Sequence, residues 1–328
     1  MSESTRRFDV ICLGEALIDL LPSQAGPLAT VPSFERHAGG APANVAVGVA
    51  RLGGRVAFVG TVGADPFGEF LQRFLADEGV DVTALTTKQN ARTGVAFISL
   101  DASGHPRFLS AGSGGAELAL TRADVQPAPI EHAWFLHLGT YVLSSPSVHE
   151  AALDAVARAR AANVRVALDP NLRLHLWRDV AALRRVLAWL VPQSDVVKLS
   201  SDECEFITGH SDPADAARWL VDTGPALAIV TTGARGCVYA RRGGEVGRVP
   251  SRFVQVVDST GAGDGFMAGL LAGLARHRAR GLEVEALDRI QLESRLTLAS
   301  ESGARVCEHV GAMSGLPRAT ELDGFSLD

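Results

Sequence analysis

The stretch Asp258-Ser259-Thr260-Gly261-Ala262-Gly263-Asp264 leads a polar, glycine-rich turn straight into the apolar run 265–271. Gly261 and Gly263 permit backbone torsions that a side chain would oppose, so such a turn can aim several N–H groups at one point. A helix starting here adds its free amides and the positive end of its dipole. Together they make an anion site, for which phosphate is the usual occupant. Asp264 is then a carboxylate set beside an anion, which is repulsive. One role that justifies the cost is taking the proton from a hydroxyl as it attacks the phosphate. The structural alternative is that the dipole alone favours an acid in a first helical turn.

Two other residues have chemistry out of keeping with their surroundings. Asp19 interrupts the apolar segment 17–21, as a turn or edge residue or as an acceptor for substrate hydroxyls. Lys198 lies in the apolar run 195–199, where a compact ammonium would suit phosphate.

The chain must bring these groups together. An apolar run over 8–13 predicts a buried strand, but the residues after Gly14 lack the G-x-G-x-x-G of a dinucleotide site, which argues against a nicotinamide enzyme. Helices are expected over 42–52, after Gly39-Gly40-Ala41-Pro42, and from Asp65-Pro66 to Gly79. Short strands over 93–100 and 107–109 flank the hairpin signal Ser103-Gly104. With residues near 15–38 they form a small sheet over the main one. Strands over 133–138, 164–168, 195–199 and 226–230 then alternate with helices over 146–162, 180–190, 202–208 and 213–222. That alternation implies an α/β fold: a parallel sheet with helices on both faces, and ligands beyond the carboxyl ends of its strands. Asp169, Lys198 and Thr232 occupy such ends. Hairpin strands near 237–240 and 246–249 precede the opening turn, and short and long helices follow near 282–287 and 292–306. In the helix after the turn, Gly265, Gly269 and Gly273 form a stripe expected to pack on the sheet.

A chain of 328 residues, 47% apolar, supports a substantial core. A net charge of −6 supplies no electrostatic reason to bind nucleic acid. Cys12, Cys204, Cys237 and Cys307 show no metal spacing and read as reduced core thiols of a cytoplasmic protein. No apolar stretch reaches membrane-spanning length.

Two distant segments resemble the signatures of ribokinase-like sugar kinases, the phosphofructokinase-B family. Gly39-Gly40-Ala41-Pro42-Ala43-Asn44-Val45-Ala46, with Gly53 and Gly63, resembles the first, and the turn at 258–271 resembles the second. Gly14-Glu15 with Ile18-Asp19, and Leu168-Asp169-Pro170-Asn171-Leu172-Arg173 with Trp177, look most like the fructokinase branch. The likeness covers nearly the whole chain. It implies one domain over residues 1–328, a three-layer α/β/α sandwich with a mostly parallel sheet and a lid from about 15–38 and 90–115. It also implies phosphoryl transfer from ATP, with Mg²⁺, to a primary hydroxyl of a sugar, most simply fructose.

Residue by residue, the resemblance makes Asp264 the base and Gly261, Ala262 and Gly263 the anion hole. Asp19, Gly39, Gly40 and Asn44 match sugar contacts. Arg173 sits where related kinases use a cation on substrate or phosphate; a salt bridge near Asp169 is its alternative. Thr232, Gly233 and Gly236 match the turn under the nucleotide's phosphates and ribose, with Lys198 nearby. Glu203 matches the acid that organises magnesium through its waters. Asp258 and Thr260 match part of a monovalent-cation site, which adds K⁺. The chain departs from the family pattern at Ser200 and Ser300, nucleotide-side positions where many members have Asn. Fructokinases usually carry Arg-Asn-Pro after the lid strands; here the segment reads Ser110-Ala111-Gly112-Ser113-Gly114-Gly115-Ala116-Glu117. Gly112-Ser113 is closer to 2-keto-3-deoxygluconate kinases, which keeps that substrate open. A catalytically silent sugar- or nucleotide-sensing protein is the reading from another class. Lid edges in this family often pair between subunits, which raises a homodimer.

Overall fold

Alternate residues of the first strand, β1 (Phe8–Leu13), face opposite ways: Val10 and Cys12 enter one apolar core, Ile11 and Leu13 another. This is the period-2 consequence of a strand buried on both faces. The computed structural model describes residues 6–24, 26, 28–100, 106–111, 114–174, 177 and 179–322. In chain order β2 (Leu17–Pro22), β3 (Phe34–Gly39), α1 (Ala41–Arg51), β4 (Val56–Gly63), α2 (Pro66–Asp77), β5 (Leu85–Lys88), β6 (Val95–Leu100) and β7 (Pro106–Ser110) follow. Next come α3 (Arg122–Val125), β8 (Ala133–Leu138), α4 (Pro146–Ala161), β9 (Arg165–Leu168), α5 (Val180–Gln193), β10 (Val196–Ser200), α6 (Cys204–Thr208) and α7 (Pro213–Thr223). The chain continues through β11 (Leu227–Thr231), β12 (Cys237–Arg241), β13 (Val246–Val249), α8 (Ala262–Ala279) and α9 (Arg289–Val306).

The main sheet runs β13-β12-β11-β10-β9-β8-β1-β4-β5. It is parallel from β5 to β11, and only β12 and β13 run against their neighbours. One core packs α1, α2, α8 and α9 on one face; the other packs α4, α5 and α7 on the opposite face. A separate sheet, β3-β2-β6-β7, stands apart from it. Its β6 and β7 pair antiparallel as the hairpin signal predicts, although residues 103 and 104 lie outside the described residues. No helix among the described residues is long and apolar enough to cross a membrane. The four cysteines are free thiols, three of them buried.

The structure departs from the sequence expectations in three places. Between Val80 and Leu109 an edge strand, β5, joins the main sheet beside β4. It is four residues long with one buried side chain, too little pattern to register. The helix expected over 282–287 is a 3₁₀ turn, Val284–Ala286. The glycine stripe of α8 faces α9 and not the sheet. A Cβ at Gly265 would meet Val306, one at Gly269 would meet Ala299 and Ser302, and one at Gly273 would meet Arg295. The small residues let the two helices approach closely, while Phe266, Met267 and Leu270 fill the core.

Candidate active site

Beyond the carboxyl ends of the central strands, between the main sheet and the small one, lies a cleft of about 780 Å³. Asp19 of β2 and Gly40, Ala41 and Asn44 at the start of α1 line one end. Lys198 in the middle of β10, and not at its end as expected, Ser200 at that end, and Thr232 and Gly233 just after β11 line the other. Gly261, Gly263 and Asp264 lie at the start of α8.

The turn before α8 is formed as its composition requires. Gly261 is the N-cap, with a left-handed φ of 81°. A Cβ there would sit 2.7 Å from the Ala312 Cα. Asp264 is buried in the first turn, and Asn44 Nδ2 donates to its Oδ2 at 2.7 Å. Burial raises the Asp264 carboxyl to about 6. The Asn44 bond opposes that shift, the charge of Asp169 adds to it, and Lys198 and Arg173 oppose it. A base with a proton affinity near the neutral range is the kind that general base catalysis uses.

Lys198 Nζ donates to Asp169 Oδ2 at 2.8 Å, and both side chains are buried. Burial alone would lower the ammonium, but the charges of Asp169 and Glu203 overcome it and hold Lys198 above its ordinary value. A Cβ on Gly263 would lie 2.7 Å from Lys198 Nζ. The ammonium therefore abuts the first turn of α8, so helix amides and a fixed cation can act on one anion. Asp169 takes Lys198 as its ion-pair partner. Arg173 lies on the cleft wall, and its charge acts on Asp19 and Asp264.

Asp19 is buried, and a Cβ at Gly39 would collide with its carboxylate, so glycine is the residue that fits there. Burial, with the charge of Asp264 next, raises Asp19 to about 7. Thr232 closes its turn on Gly236, donating from N and Oγ1 to the Gly236 carbonyl at 2.7 and 3.0 Å, while its own carbonyl accepts the Arg235 amide at 3.3 Å. Gly39, Gly236, Asp258, Ala262 and Ser300 do not line the cleft. Ser300 is buried in α9.

Glu203 is already occupied. Its Oε1 accepts the Leu172 amide at 2.6 Å, and its Oε2 accepts the Ser200 amide and hydroxyl at 2.8 and 3.0 Å. Ser200 thus supplies a capping box in place of an asparagine. Asp169 Oδ1, by contrast, is buried without a hydrogen-bond partner among the described residues. Asp258 Oδ1 accepts the Thr260 amide and hydroxyl, and Oδ2 accepts the Gly311 amide at 2.9 Å. Among the described residues no Lys or Arg pairs with this buried carboxylate. A buried anion held only by neutral donors fits a monovalent cation as its missing counter-charge.

Sequence reasoning passed over Glu117 and Tyr141. Glu117 Oε1 accepts the Gly115 amide at 2.8 Å and the Tyr141 hydroxyl at 3.3 Å, and burial raises the carboxyl. Both line the cleft. An acid in a glycine-rich irregular segment carries no periodic signal, so only the fold brings it inward.

A profile for "pfkB family carbohydrate kinase" matches residues 7–319. The chain belongs to this family. A fructokinase of Klebsiella pneumoniae is 41% identical over 314 residues, 94% of this chain and 96% of the relative. The fold is ribokinase-like. A double mutant of Vibrio cholerae O395 fructokinase, solved with fructose, ADP and potassium, superposes with TM-score 0.84 at 32% identity, covering 94% of each chain. Aminoimidazole riboside kinase from Salmonella enterica, complexed with aminoimidazole riboside and an ATP analogue, gives 0.83 at 31% identity over 96% of this chain and 99% of that one. This pfkB protein is therefore a phosphotransferase acting on a carbohydrate.

Proposed function

We propose that the chain is an ATP-dependent fructokinase. The observation that carries this reading is one buried carboxylate, Asp264, held by Asn44 within a helix turn that also abuts Lys198. The sugar lies between the main sheet and the small one, its hydroxyls held by Asp19 and Asn44. Asp264 takes the proton of the primary hydroxyl as its oxygen attacks the γ-phosphorus of ATP, and the bond from that phosphorus to the β-phosphate oxygen breaks to release ADP. The amides of residues 261–263 and the Lys198 ammonium absorb the charge that builds on the transferred group. The small sheet of β2, β3, β6 and β7 acts as a lid that excludes water, the competing acceptor.

The nucleotide side uses Thr232 and Gly233 beneath the phosphates, with Gly236 shaping the turn and Ser300 in α9. Mg²⁺ fits this donor set. Among the described residues no cluster of His, Cys, Asp or Glu could hold a metal unaided, and Mg²⁺ commonly uses one or two carboxylates with phosphates and water. Asp169 has the open oxygen, while Glu203 orients the Leu172 and Ser200 backbone around it. Bound there, Mg²⁺ would supply positive charge to neutralise the phosphates. Asp258 and Thr260 hold K⁺. A homodimer through the lid belongs to the same proposal, since β3 and β7 are edge strands of the small sheet. Sedimentation tests it.

ADP release coupled to a colour reaction, across fructose, 2-keto-3-deoxygluconate and a nucleoside, tests the assignment. Turnover with fructose well above the rest is expected. Turnover only with another acceptor replaces fructose, and binding of sugar and ATP without turnover ends the kinase reading.

A further inference from the structure

The mechanism above leaves one buried acid of the cleft unused. Glu15 follows β1 and is 4% exposed. Its Oε1 accepts the amide of Ala41, the first residue of α1, at 3.1 Å. Its Oε2 is buried with no partner among the described residues. The side chain forms part of the cleft wall with Asp19, Gly40 and Asn44, at the end assigned to the sugar. A Cβ at Gly40 would collide with the Glu15 carbonyl, so the turn before α1 is built closely around this residue.

We infer that Glu15 is a further sugar-binding residue, working as a neutral carboxylic acid whose unpartnered Oε2 exchanges a hydrogen bond with an acceptor hydroxyl. The inference rests on the proposed kinase function. With the Ala41 amide on Oε1 and no hydrogen-bond partner for Oε2 among the described residues, the buried carboxylate is poorly compensated as an anion. The groups whose charges act on Glu15 are Asp264 at the start of α8, which disfavours ionisation, and Arg173 after β9, which favours it. Burial is the largest influence and raises the carboxyl to about 8, against the backbone amides of Glu15 and Ala41, which favour the ionised form. A protonated Glu15 can donate where Asp19, its neighbour on β2, can accept. A sugar hydroxyl is both donor and acceptor, so the two acids read opposite halves of the same group.

Glutamine imitates a neutral glutamic acid, with one acceptor and one donor, and cannot ionise. Steady-state kinetics with the best acceptor of the sugar panel, from pH 6 to pH 9.5, compare wild type, Glu15→Gln and Glu15→Ala. Glu15→Gln is expected to keep kcat/KM within about threefold of wild type at pH 7. It is expected to lack the fall that wild type shows above about pH 8. Glu15→Ala is expected to raise KM for the sugar by roughly tenfold or more, the scale of a lost hydrogen bond to a buried partner, with KM for ATP unchanged. Equal losses in Gln and Ala would mean the charge is required, and unchanged sugar KM in Ala would mean no contact; either overturns the inference. A wild type that turns over no acceptor would instead defeat the kinase reading, with sugar titration calorimetry of the three proteins then deciding on Glu15 alone: weaker binding by Ala but not Gln sustains it, and equal binding by all three overturns it.

Discussion

Asn44 and Asp264 are 220 positions apart in the chain and meet at 2.7 Å, one from the first turn of α1 and the other from the first turn of α8. This bond pulls down a carboxyl that burial pushes up to about 6. The base works in its ionised form, so activity should fall as pH drops through that value. Replacing Asn44 with Ala removes a donor to the charged form, and the acid limb of the kcat/KM profile should move to higher pH by up to about one unit. A limb that stays in place would show that Asn44 does not tune Asp264.

Asp264→Asn keeps size and shape but removes the base. The expected result is a fall in kcat of roughly 10²–10⁴-fold, with circular dichroism and melting behaviour retained. Turnover close to wild type would remove the proposed base.

Lys198 and Asp169 form a buried pair, at 6% and 4% side-chain exposure. Removing one partner strands the other charge. Lys198→Met should destabilise the protein by about 3–5 kcal/mol in urea unfolding. The double variant Lys198→Met, Asp169→Asn should recover much of that loss while remaining poorly active. If the single variant unfolds at the wild-type midpoint, the pair does not stabilise the fold.

Asp19 links stability to pH. Burial raises it to about 7 in the folded chain, whereas an unfolded Asp loses its proton near about 3.9. Between those values the folded state retains a proton that the unfolded state has released. Its stabilising contribution is therefore complete below about pH 4 and lost as pH rises through about 7. Asp19→Asn abolishes that loss, so its melting temperature should exceed wild type by several degrees at pH 8 and match it at pH 4. A constant difference across both pH values would contradict the raised carboxyl.

How far the chain could be read in advance follows from the range of each signal. β1 and β8 stand where apolar runs place them, because burial on both faces writes a continuous local pattern. β5 escaped because four residues at a sheet edge bury too little to leave one. The glycine stripe of α8 was visible, but its direction was not: periodicity marks a face of a helix, and only packing says that α9 and not the sheet covers it.

The sequence by itself determined the α/β architecture, the glycine turn that caps α8, and the acid placed in its first turn, since each depends on neighbours a few residues apart. Tertiary structure decided the partners. It set Asn44 on Asp264, gave Asp169 to Lys198, filled Glu203 with backbone amides, and turned Glu15 and Glu117 inward. Hydrogen bonds and desolvation act through space over a few ångströms, so the protonation of these acids is a property of the folded cleft and not of any stretch of chain.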